Sequence, residues 1–174
     1  MKNKLILIIS LLLFVVSSNA QKMNTKYHDP KLNKEVLVGY CNENGLQQDD
    51  FGKIFMSEYE HYIPEKSLVR KIKSIYKKNN IEVVTVFAEW CHDSKEQVPH
   101  FYKLMDKAGF SKEKTKIIAV DRTKNAQIVN ISDLNILKVP TFIIYSENIE
   151  IGRIIETPEH TLELDLLNIL KSIR

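Results

Sequence analysis

The stretch Ile81-Glu82-Val83-Val84-Thr85-Val86-Phe87-Ala88, continued by Glu89-Trp90-Cys91-His92-Asp93-Ser94, decides the fold. The first eight residues are almost continuously apolar, as in a strand covered on both faces. After Cys91 the spacing changes. Val98, Phe101, Leu104, Met105 and Ala108 fall on one helical face, with Gly109 as the stop and Pro99 as an expected kink. A cysteine where a buried strand hands over to a helix stands at a helix N-terminus, where unpaired N–H groups and the helix dipole favour a thiolate. Cys91 is therefore the candidate nucleophile, with His92 as an optional neighbouring cation and with Glu89 and Asp93 opposing ionisation. Ser94 lies one turn further on, close enough to donate its hydroxyl to the thiolate; it reads equally well as a serine tolerated at a helix start. A serine cannot attack a mixed disulfide, so an adduct on Cys91 would persist until an outside thiol, or Cys41, released it.

Outward from this unit the pattern alternates. Upstream, Lys34 to Tyr40 reads as a short strand, and Cys41-Asn42-Glu43-Asn44-Gly45 as a turn. Asp49 or Asp50 caps a helix with Phe51, Ile54, Phe55, Tyr59 and Tyr62, stopped by Pro64. Ser67 caps another, with Leu68, Ile72, Ile75 and Tyr76 as its stripe, broken at Asn79-Asn80. Downstream, Lys116 to Val120 is a second core strand, and Asn125 to Leu137 is expected to hold a short helix or two. Thr141 to Tyr145 and Ile149 to Ile155 form a hairpin around Ser146-Glu147-Asn148, and Thr157-Pro158 opens a closing helix. Strand–helix alternation predicts parallel strands with helical cover, to which the hairpin adds antiparallel strands. Residues 21–34 read as a tail or loop.

Lys2 and Lys4, the apolar run Leu5 to Val16 and the small residues up to Ala20 have the layout of a secretory signal peptide over residues 1–20. The run is short for a membrane span, which needs about 20 residues. No cysteine follows it closely, which excludes a bacterial lipid anchor there. Cleavage would leave 154 residues with 23 basic against 22 acidic side chains, a net charge of +1. That suits one domain with a sizeable core and offers no basic stripe for nucleic acid. The expected product has no membrane span and acts in the periplasm, with secretion as the alternative. Cys41 and Cys91 are the only cysteines. In an oxidising compartment they can pair, so Cys41 stays open as a resolving thiol, a structural partner of Cys91 or an inert buried thiol.

From about Ser67 to Arg174 the chain resembles the thioredoxin-like superfamily. Ala88-Glu89-Trp90-Cys91 matches the end of that family's central strand and its attacking cysteine. Pro99 matches its helix-kinking proline, Val139-Pro140-Thr141 its substrate-side loop, and Gly152-Arg153-Ile154-Ile155-Glu156 its last strand. The likeness extends to exported bacterial proteins with Trp-Cys-x-Asp-Ser and an N-terminal extension. It implies a thioredoxin-like α/β fold, with a central mixed sheet flanked by helices over residues 65–174 and an extension over residues 21–64. It also implies a cis Pro140 that presents the Val139 backbone to an extended peptide, with Trp90 as an apolar contact beside the thiol. Two departures go together. The family's resolving cysteine is Ser94 here, and its buried carboxylate is Thr85, so ordinary dithiol reduction is not expected.

The expected activity is thiol–disulfide exchange through one cysteine. Cys91 and Ser94 form the centre, and Trp90, Val139, Pro140 and Thr141 hold a client protein or peptide bearing a disulfide or thiol. An external thiol acts as reductant. The alternative is a binding module on the same fold without turnover. His28, His61, His92, His100 and His160 are scattered, which argues against a metal centre. No dinucleotide or phosphate fingerprint is present, so no cofactor is expected.

Overall fold

The computed structural model describes residues 22–173, so the leader expected over residues 1–20 lies outside the described residues. Six strands form one mixed sheet: β1 (Thr25–Asp29), β2 (Lys34–Cys41), β3 (Ile81–Phe87), β4 (Thr115–Ala119), β5 (Thr141–Ser146) and β6 (Ile149–Ile155), in the spatial order β1-β2-β4-β3-β5-β6. The β3–β4 pair is parallel and the rest are antiparallel. The helices are α1 (Glu43–Leu46), α2 (Asp49–His61), α3 (Lys66–Tyr76), α4 (His92–Ala108) and α5 (Leu162–Leu170). This is the mixed sheet flanked by helices that the sequence implies.

The alternation in β3 divides the core. Ile81, Val83 and Phe87 join Phe101, Leu104, Phe142, Leu166 and Leu170 in the larger cluster under the helices. Val84, Val86 and Ala88 join Ile118, Val120, Val139 and Ile143 in a smaller cluster on the other face. The region before α3 belongs to the larger cluster through Leu37, Cys41, Leu46, Phe51 and Phe55. Phe51 lies 5.3 Å from Phe87 and Phe55 lies 5.7 Å from Tyr102, ring centre to ring centre. Each such buried ring contributes about 1.5–3 kcal/mol, so α2 is part of the core packing.

Five sequence expectations need correction. The N-cap of α2 is Gln48, and the expected caps Asp49 and Asp50 lie inside its first turn. Thr25–Asp29, read as loop, is a strand pairing with β2. It sits at the sheet edge, where a polar sequence carries no burial signal. Asn125–Leu137 holds no α-helix, only a 3₁₀ turn at Ser132–Leu134. Asn125, Asn130 and Asn135 bond nearby backbone instead, and Lys124, Gln127 and Asn135 have positive φ. The last helix is capped by Thr161, whose hydroxyl accepts the Leu164 N–H at 3.2 Å, and not by Thr157. The helix expected to start from Ser67 begins at Lys66, with Glu65 at its N-cap. Pro99 stays inside an unbroken α4, which ends on Gly109 at φ 81°.

Candidate functional site

Cys91 is the N-cap residue of α4. Its N–H donates to the Ala88 carbonyl at 3.1 Å, and its carbonyl accepts the Lys95 N–H at 3.3 Å. These bonds close the turn that carries the chain from β3 into the helix. The thiol is free and partly exposed, and its Sγ donates to the Val139 carbonyl at 3.0 Å. Only the protonated thiol can make that bond; a thiolate at the same place would face a carbonyl oxygen without a proton between them.

The other expected residues divide by what they touch. The Val139–Pro140 peptide is cis. Val139, Pro140 and Thr141 are buried. The Thr141 hydroxyl donates to the Lys138 carbonyl at 2.7 Å, and the Pro140 carbonyl accepts the Glu156 N–H at 2.7 Å. Both bonds fix the loop. The Thr141 side chain is thus buried and committed within the loop. Trp90 is half-buried and packs with Cys91 against the smaller core cluster. Its indole N–H is buried without an acceptor among the described residues.

Ser94 is fully buried. Its hydroxyl accepts the Ala88 N–H at 3.3 Å, and no bond to Cys91 forms. The expected donation to sulfur is thus replaced by a tie to the end of β3. The site of the family's buried carboxylate holds Thr85, also fully buried, with its hydroxyl unpartnered among the described residues.

Cys41 does not meet Cys91. Through the strand register Cys41 is level with Ile117, and Ile117 with Thr85, well short of the Cys91 turn. Cys41 belongs to the cluster under the helices, whereas Cys91 packs against the opposite face. The sheet separates them, and both are free. Burial pushes the Cys41 thiol up to about 12, with the Ala119 N–H opposing only in part. It is a protonated core thiol at neutral pH, so neither a bridge nor a resolving role fits its place.

Three polar residues lie around the site; the sequence reading names Glu89 only as a charge opposing the Cys91 thiolate and misses Asp29 and Arg122. Glu89 is 5% exposed, and its carboxylate turns from Cys91 to accept the Leu37 N–H at 3.0 Å. Here β2 has run past the end of β4, and the side chain replaces the missing strand partner. Burial raises the Glu89 carboxyl above its usual range, although the Leu37 N–H and the nearby Lys26 and Lys34 pull it down. Asp29, 2% exposed at the end of β1, accepts the Lys31 and Leu32 N–H groups at 2.8 and 3.0 Å. Its other oxygen accepts the Arg122 Nε at 2.8 Å. Burial works to raise the Asp29 carboxyl, but the two backbone N–H groups and the guanidinium hold it below its ordinary range. Arg122 in turn lies over the Trp90 ring, its Cζ 5.4 Å from the ring centre. The 93-residue separation of Asp29 and Arg122 left no local pattern to read.

His100 pairs with Glu58 at 2.9 Å and stacks on Tyr62 with ring centres 4.2 Å apart, which gives it a packing role. Among the described residues no three His, Cys, Asp or Glu side chains gather as metal ligands. Among them, too, no helix is long and apolar enough to cross a membrane.

No curated protein matches the chain. Among solved structures, a Pseudomonas aeruginosa protein of unknown function matches at 13% identity, over 70% of this chain and 80% of its own, with a TM-score of 0.46. Plasmodium falciparum thioredoxin matches at 22% identity, over 59% and 90%, with a TM-score of 0.36. Reduced Schistosoma mansoni thioredoxin pre-protein matches at 23% identity, over 59% and 90%, with a TM-score of 0.38. The thioredoxin family model matches residues 66–167, from the start of α3 into α5. That span is more than half of the sequence, and the chain belongs to the thioredoxin family.

Proposed function

We propose that this protein is an exported thiol–disulfide exchange protein that works with one sulfur, its leader directing it to the periplasm. The observation that carries the reading is the partly exposed Cys91 at the start of α4, hydrogen-bonded to the loop that presents Val139. Family membership supports a redox role in general.

The exchange follows from the groups present. Cys91 loses its proton to solvent and gives up its bond to the Val139 carbonyl. That carbonyl is then free to accept an N–H from an extended client, while the Val139 N–H, without a partner among the described residues, donates to a client carbonyl. Client pairing and thiol release are thereby coupled through one oxygen. The thiolate attacks one sulfur of the client disulfide. A Cys91–client disulfide forms, the client's own S–S bond breaks, and the second client sulfur leaves as a thiolate that takes up a proton.

Ser94 cannot reverse the adduct and Cys41 is out of reach. Release therefore requires an external thiol or the client's own freed thiol. The second route rearranges client disulfides without net oxidation or reduction.

Incubation of the reduced protein with a disulfide-bonded peptide tests this by intact mass. Wild type is expected to accumulate a mixed disulfide that Cys91→Ser lacks, and an added thiol should clear it. Failure of wild type to form any adduct would reject exchange and leave a binding module.

A further inference from the structure

Arg122 stands over the indole next to Cys91, yet the exchange reaction assigns it no task. Only its Nε is committed, to Asp29. Its Nη1 and Nη2 donors have no partner among the described residues, and the side chain remains 31% exposed. Asp29 is almost fully buried, with both oxygens engaged by Arg122, Lys31 and Leu32. The pair is thus one-sided: the carboxylate is buried, whereas the arginine side chain is partly exposed with Nη1 and Nη2 uncommitted among the described residues. The Trp90 ring lies beneath the guanidinium carbon, 5.4 Å from ring centre to Cζ.

We propose that Arg122 is a specificity residue that selects client disulfides carrying a carboxylate next to the reacting cysteine. This rests on the exchange reading above. A planar fork with two free donors matches a carboxylate in two parallel hydrogen bonds, which a lysine at the same place could not make. The fork is held by Asp29, at the end of β1 and outside the family-matched span, so the edge hairpin contributes to client selection.

The test uses peptides in which a single cysteine is carried as its 2-pyridyl disulfide, flanked by glutamate, glutamine or lysine. Attack by Cys91 forms the protein–peptide disulfide and expels pyridine-2-thione, whose absorbance gives the rate. Wild type is expected to react about fivefold faster with the glutamate than with the lysine peptide, the scale of one partly exposed ion pair. That ratio should fall as salt is raised. Arg122→Gln should bring the ratio close to one. Equal wild-type rates, or a ratio that Arg122→Gln leaves intact, would overturn the proposal. Absence of pyridine-2-thione from every peptide, the glutamine one included, would instead reject the exchange reading.

Discussion

Glu89 is the side chain with the clearest pH signature. Burial raises its folded-state carboxyl above the ordinary value of 4.5, so the fold favours the protonated form. Its contribution to stability is full below pH 4.5 and is lost as pH rises through the folded value. Glu89→Gln keeps an oxygen for the Leu37 N–H and cannot ionise. Its melting temperature is expected to exceed that of wild type at pH 7, with the gap closing at pH 4. A variant less stable than wild type at pH 7 would show that the charge itself holds β2. Glu89 also marks a limit of sequence reading. Its neighbour Cys91 was legible because a strand-to-helix change in periodicity flanks it. The target of the Glu89 carboxylate, a backbone N–H 52 residues away, left no trace in local spacing. Ser94 was found by its place one turn from Cys91, but its bond to Ala88 depends on how tightly β3 meets α4.

Among the elements, those with an apolar period were readable and those without one were not. β3, α4 and the β5–β6 hairpin carry patterns that only one placement satisfies. β1 is short, polar and at the edge, so its pairing with β2 decides its conformation more than its own residues do. The segment after β4 has enough apolar residues to suggest a helix, but its asparagines turn the backbone locally. α2 was legible as a helix but not as a core element. Phe55 is 2% exposed and packs with Tyr59 and Tyr102. Phe55→Ala is expected to cost about 3–5 kcal/mol in unfolding free energy, measured by urea titration. A cost near 1 kcal/mol would mean that α2 lies on the core without supporting it.

For the whole molecule, the sheet order governs which thiol reacts. Cys41 and Cys91 are the only cysteines, and an oxidising compartment made their pairing plausible from composition. The fold places them on opposite sides of the sheet, a relation that depends on β2 lying beside β4. Burial keeps one thiol protonated while a helix start presents the other. Alkylation of the native reduced protein with iodoacetamide at neutral pH, read by intact mass and peptide mapping, measures this division directly. The account predicts a single rapid adduct on Cys91, with Cys41 modified only after unfolding. A native adduct on Cys41, or a Cys91 that resists the reagent until the chain unfolds, would contradict it.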